Sequence, residues 1–267
     1  MDKKRRAALA ALLAVFLLSA GMMVRQQLLY QKLSDEQAEA EQVAGLTQGA
    51  APSLAPSSAP PAAAPEGPEP LPEEAAPLAS VDLEALRAVN GDVAGWIAIP
   101  GTELSYPLVQ GPDNRYYLSH NWKRETSSAG AVFLESTNSR DMGDFHTIAY
   151  AHQMRNDSMF GSLKYYESLD YLRQHPSVYV AAGGGIYRYD IFSAQKAGVK
   201  SILYRLDLEE SHMEEEFLQW CVENSVIDTG VVPEAGERIL TLSTCVGSDR
   251  AHRWVVSAVL RGVWAAA

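Results

Sequence analysis

The sequence predicts a mainly β domain, a barrel or a sandwich, carried behind an N-terminal apolar segment and a proline-rich spacer. Three observations lead there. Between Gly95 and Val263, eight short apolar or alternating runs are separated by turn residues. Within residues 81–267 helical periodicity is confined to two short stretches, and one of them interrupts the series just before the seventh run. Of the 267 residues 47% are apolar, enough to close a core and too many for a disordered chain.

Taken in order, the chain opens with 18 uncharged residues from Ala7 to Val24. As a helix rising ~1.5 Å per residue, that run covers ~27 Å, close to the ~30 Å hydrocarbon core of a bilayer. Lys3, Lys4, Arg5 and Arg6 precede it, and the positive-inside rule sets that end in the cytoplasm. Residues 1–24 therefore read as a basic tail and single-pass membrane anchor, with everything after them outside the cell. A cleaved signal peptide with Leu18-Ser19-Ala20 as its small-residue site is the rival reading, but the run exceeds the ~7–15 residues of a usual signal core.

Residues 25–80 read as stalk and linker. Arg25 to Leu46 is a short polar helix by composition, and residues 51–80 hold 9 of the 14 prolines. Proline removes backbone donors, so this stretch is expected to be a semi-rigid spacer with no packed helix or central strand. The folded unit is then 81–267.

That unit begins with a helix from Val81 to Val89, stopped at Asn90-Gly91. Strands are expected near Gly95–Ile99, Tyr106–Val109, Ala131–Leu134, Thr147–His152, Ser177–Ala181, Tyr187–Lys196, Ile239–Thr244 and Trp254–Val263. From Asp207 to Ser225 a helix is inserted, with Met213, Phe217 and Cys221 forming one apolar stripe and Glu209, Glu210, Glu214, Glu215 and Glu216 a solvated face. The net charge of −11 argues against a nucleic-acid partner, which calls for a basic face. Two cysteines exclude a disulfide-dense scaffold.

The chemistry concentrates at the seventh strand, Arg238-Ile239-Leu240-Thr241-Leu242-Ser243-Thr244-Cys245, which delivers a thiol to its end beside the loop Val246-Gly247-Ser248. Such a thiol is both rigidly placed and reachable, although spacing alone leaves Cys245 open between nucleophile and small buried hydrophobe. A Cys221–Cys245 disulfide is also conceivable outside the cell, but the apolar stripe explains Cys221 as a core residue. A thiol nucleophile needs a base or a cationic partner. Of the six histidines, His152 ends an apolar strand where it becomes a loop. His175 and His212 read as surface residues, and His120 and His146 are ambiguous. Either His252 or Arg253 faces the site, because neighbouring strand residues point to opposite faces. An arginine starting the last strand suits an oxyanion donor, and equally an ordinary strand end. No histidine pair has helical metal spacing, so no metal is expected.

Together these residues resemble the sortases, specifically class B. Thr241-Leu242-Ser243-Thr244-Cys245 is similar to the family's TLxTC signature, and Arg253-Trp254-Val255-Val256 to its arginine before an apolar strand. Tyr150-Ala151-His152-Gln153-Met154 with Ser158-Met159-Phe160-Gly161 resembles the class B histidine segment. Asn90 to Ile97, Tyr106 to Gln110 and Asp113 to Leu118 match as well, so the likeness covers nearly all of 81–267. One departure is Ala151, where the family usually has glycine.

The resemblance implies an eight-stranded sortase-type β-barrel with an N-terminal helix and a helical insertion before the seventh strand. It implies Cys245 as nucleophile, His152 as acid/base and Arg253 as oxyanion or substrate stabiliser, with Ser243 and Thr244 as weaker substrate-binding candidates. It further implies a membrane-anchored cysteine transpeptidase without metal or organic cofactor. Its partners would be exported proteins carrying a C-terminal sorting signal, cut after Thr, and a peptidoglycan peptide amine, from a lipid-linked precursor or the wall. A pilin-polymerising sortase, a hydrolytic cysteine protease and a non-catalytic exported binding module are the alternatives.

Overall fold

The computed structural model describes residues 3–46, 70–208, 210–245 and 251–266, with the backbone alone at 3–11 and at Cys245. The proline-rich residues 51–69, Glu209 and the loop Val246-Gly247-Ser248 lie outside the described residues. Two compact units divide between Glu39 and Ala40. The first is made by α1 (Lys3–Val43), whose last four residues count with the second; it is one continuous helix of 41 residues, so the apolar run and the polar stalk are not separate elements. Its segment from Leu12 is long and apolar enough to cross a membrane, with a mean hydropathy of 1.6.

The second unit is a closed barrel of eight strands: β1 (Val93–Ala98), β2 (Ser105–Val109), β3 (Val132–Leu134), β4 (His146–His152), β5 (Ser177–Ala182), β6 (Gly185–Gly198), β7 (Ile239–Cys245) and β8 (His252–Ala265). Around the barrel they run β1-β2-β3-β4-β7-β8-β6-β5, and β5 closes back on β1. Closure leaves no long unpaired edge. Two neighbours are parallel, β2 with β3 and β4 with β7; the rest are antiparallel. All eight expected strands are present within two residues of their expected ends.

The strands read as nearly continuous apolar runs because both faces are covered; every residue of β5 is buried. On one side, Trp96, Phe133 and Tyr179 pack with Ala40 from the last turn of α1, with Ala44 just after it and with Leu86 of α2 (Leu83–Val89). The Asp82 side chain caps α2, accepting the Ala85 N–H at 2.8 Å. On the other side, Ile239, Val255 and Val259 of β7 and β8 pack with Leu203, Phe217 and Cys221. The last two belong to α4 (Ser211–Glu223), the expected insertion. A short helix α3 (Leu169–Gln174), capped by Ser168, gives no clear sequence signal because it spans only six residues.

One expectation is corrected. Composition places residues 73–80 in the linker, but they form a 3-10 helix whose Ala75 and Leu78 are buried in the first of these clusters. Proline at position 77 is tolerated because a short, tight helix leaves several N–H groups unpaired in any case.

Leu240 lies fully buried in mid β7. Leu240→Ala is expected to cost ~2–5 kcal/mol and lower the thermal midpoint by roughly 5–15 °C, whereas Val232→Ala, at a site 74% exposed, should change little. Equal effects of the two in a melting experiment would contradict the assigned core.

Candidate active site

The parallel ladder of β4 and β7 starts at His146 opposite Ile239 and ends at His152 opposite Cys245. β8 runs back along the far side of β7, pairing Ser243 with Val255. The Trp254 N–H donates to Thr244 Oγ1 at 2.9 Å, which holds the two strands together at this end. The ends of β4 and β7 and the start of β8, which carry His152, Cys245 and Arg253, therefore lie side by side as one row of strand ends. Ser243 is registered with Val255, so by alternation along β8 Arg253 shares the face of Ser243.

His152 is half-buried, and its Nε2 lies 2.8 Å from the carbonyl oxygen of Leu118. A carbonyl only accepts, so Nε2 carries the proton and donates. Nδ1 is then the nitrogen left to take up or release a proton. The backbone of His152 is held as well: its carbonyl accepts the Phe160 N–H at 3.0 Å, and Gln153 pairs with Met159 across a tight return. That return needs glycine at 161, where a Cβ would meet the Met154 carbonyl oxygen at 2.4 Å. Ala151 is fully buried in mid-strand opposite Thr244, so its methyl group is absorbed without touching the bonds of His152.

Arg253 is half-buried and donates to the carbonyl of His252 at 2.9 Å; His252 itself is exposed. Ser243 falls on the same face as the row, two positions before Cys245, and its Oγ lies 2.9 Å from the Tyr204 hydroxyl. Tyr150, its registered neighbour on β4, donates to Glu135 Oε2 at 3.0 Å. Thr244 alternates to the opposite face, where its hydroxyl is the acceptor from Trp254 already noted.

The other histidines are accounted for by local bonding. His120 stacks on Tyr116 with ring centroids 4.1 Å apart. His212 is exposed beside Glu210. His175, expected on the surface, is instead buried, its Nδ1 donating to the Pro100 carbonyl at 2.8 Å; the Pro176 that follows puts it in a turn, but one packed under Tyr171. His146 is also buried, Nδ1 facing the Arg205 carbonyl and Nε2 the Thr241 hydroxyl, each at 2.8 Å. Burial pushes its pKa down to about 4, so the ring is neutral. Cys221 is a free, buried cysteine whose thiol is pushed well up by burial, which keeps it protonated and unreactive. Among the described residues no group of three or more His, Cys, Asp or Glu could hold a metal ion.

Several of these partners carry no sequence signal. The carbonyl of Leu118 could come from any residue type, and Tyr204 lies in a connecting segment without periodicity. Only the folded geometry brings them to the row.

The family model of the sortase domain matches residues 97–261. Sortase B of Listeria monocytogenes is 35% identical over 164 residues, 61% of this chain and 67% of that protein. Sortase B of Staphylococcus aureus is 33% identical over 162 residues, 61% of this chain and 66% of that one. Among solved structures, the Staphylococcus aureus sortase B–substrate complex superposes with a TM-score of 0.65 at 32% identity, covering 67% of this chain and 84% of that chain. A mutant form of Clostridium perfringens sortase B gives 0.62 at 29%, covering 67% and 85%.

A neutral buried imidazole makes stability depend on pH. The unfolded chain binds a proton near the ordinary value of about 6.5, the folded chain only near 4, so stability is full above 6.5 and is lost as pH falls toward 4. The loss is of order 3 kcal/mol, and denaturant titrations across that window should show it in the native chain and not in His146→Phe. Identical pH slopes for the two proteins would refute the assignment.

Proposed function

The chain belongs to the sortase family, and from that membership we propose a membrane-anchored class B enzyme that cuts the C-terminal sorting signal of exported proteins after Thr and joins them to a cell-wall peptide amine. It is a cysteine transpeptidase by family. The observation that supports the finer reading is the register of His152 with Cys245 at the ends of β4 and β7, with Arg253 at the start of the neighbouring β8.

In this reading the Cys245 thiolate attacks the carbonyl carbon of the substrate Thr, forming an S–C bond and a tetrahedral oxyanion. Arg253, permanently charged and planar, stabilises that oxyanion. The C–N bond then breaks, and His152 gives its proton to the departing amine. The resulting thioester is attacked by the amine of a peptidoglycan peptide; His152 takes a proton from the nucleophile, and the thiolate leaves as the new amide forms. With Nε2 engaged by Leu118, proton traffic runs through Nδ1. Ser243 and Thr244 border the row and are proposed to shape the pocket for the sorting signal, Thr244 only by holding β8 in place.

The anchor reading rests on the apolar segment of α1 and the basic cluster Lys3 to Arg6 before it. The barrel would then work on the outer side of the membrane, where wall peptides and newly exported chains meet.

Intact-mass spectrometry of the full-length chain in detergent, with sorting-signal peptides and with or without an amine acceptor, tests this. A thioacyl adduct should form, resolve faster with the amine than with water, and be absent in Cys245→Ala. His152→Ala should slow turnover by ~10²–10⁴ and Arg253→Ala by ~10²–10³. Resolution by water alone at an equal rate would make the protein a protease, and an unreactive Cys245 would sink the catalytic reading.

A further inference from the structure

Six polar side chains lie buried on the same face as the row, just behind it: His146 on β4, Thr241 and Ser243 on β7, Ser257 on β8, and Ser193 and Gln195 on β6. The segment Ile202–Arg205 covers this face on its way from β6 to α4. Leu203 anchors it in the apolar cluster, but the surface it meets toward the row is polar. Among the described residues the side-chain polar atoms of Gln195 and Ser193 have no hydrogen-bond partner, so they add no hydrogen bond to it. Two hydrogen bonds to the strands help to hold it. Tyr204 meets Ser243 Oγ at 2.9 Å, and the carbonyl of Arg205 receives His146 Nδ1 at 2.8 Å.

The protonation pattern of the second contact is determined. Arg205's carbonyl can only accept, so Nδ1 bears the proton, and the neutral ring leaves Nε2 to accept the Thr241 hydroxyl. Thr241 Oγ1 then accepts from Ser257 Oγ at 3.1 Å. The ring also lies against Phe217 of α4, centroids 4.7 Å apart. His146 thus ties three separate elements to β7: the connecting segment, α4 and, through Thr241, β8. The segment it holds carries Tyr204, which is half-buried and stands beside Ser243, two positions from Cys245.

We propose that His146 is a positioning residue for substrate: by clamping the Arg205 carbonyl it fixes Tyr204 as a wall beside the row, and so sets affinity for the sorting signal without acting on the thiol. This rests on the function proposed above. His146 touches neither His152 nor Arg253, and it sits at the far end of β4 from His152, so its influence travels through the segment and not through the nucleophile.

The test uses the full-length chain in detergent and three variants. His146→Phe keeps the ring volume and removes both hydrogen bonds. His146→Asn restores a donor at the place of Nδ1. Tyr204→Phe removes the hydroxyl held by Ser243. Steady-state cleavage of a sorting-signal peptide gives kcat and KM, iodoacetamide reports the reactivity of Cys245, and limited trypsin digestion reports how tightly the bond after Arg205 is held. His146→Phe should raise KM at least tenfold, leave kcat and alkylation within twofold, and speed cleavage after Arg205 at least tenfold. His146→Asn should return KM and the trypsin rate to within threefold of the native chain, and Tyr204→Phe should raise KM in the same way as His146→Phe. The proposal is overturned if His146→Phe leaves the Arg205 bond equally protected, if Asn fails to rescue, if Tyr204→Phe leaves KM unchanged, or if kcat and alkylation fall together with KM. A native chain that forms no thioacyl adduct defeats the function proposed above and the substrate role with it; normal native turnover with an unchanged trypsin rate in His146→Phe defeats the clamp alone.

Discussion

The site depends on the parallel pairing of β4 with β7. Seven consecutive pairs fix the register, from His146 with Ile239 to His152 with Cys245. A strand repeats every two residues, so a slip of one place would send Cys245 to the face opposite His152 and break the row altogether. The register is protected because both faces are buried. Ile148 and Ile239 on one face, and Ala149, Leu240 and Leu242 on the other, would all have to exchange environments in a slip. The apolar core therefore does two things at once: it closes the barrel, and it keeps a histidine and a cysteine side by side.

Polar groups refine that placement where apolar packing cannot. The carbonyl of Leu118 selects one tautomer of His152, and a carbonyl does so without adding a charge or a titrating group beside it. At the neighbouring strand end, Thr244 extends the β7–β8 contact by accepting the backbone N–H of Trp254, the residue after Arg253. Further back, His146, Thr241 and Ser257 are fully hydrogen-bonded although buried, the condition under which a polar network in a core stabilises instead of costing.

Much of this was legible in the sequence. Turn residues between short apolar runs marked all eight strands, and the strand-to-loop transitions at His152 and Cys245 singled out the two residues that the barrel brings together. Arg253 was distinguishable from His252 only once the register was known, since alternation alone allows either. What the sequence could not show has a common cause. Leu118 acts through its backbone, Tyr204 through its position in an aperiodic segment, and His175 is buried by a turn that composition marks as exposed. Residues 73–80 misled for the converse reason: prolines dominate the stretch as a whole, while two apolar side chains decide its last turn.

The bond between His146 and Thr241 joins residues 95 apart in the chain, and the strand that carries Cys245 is the last but one. Bringing such distant segments together costs loop-closure entropy before any contact rewards it, which slows the folding of this barrel. As the chain emerges, the histidine appears long before the thiol, and neither has its partner until β7 has paired with β4. A nascent or truncated chain thus carries the separate ingredients of acyl transfer without the assembled site, and reactivity arrives together with the completed barrel.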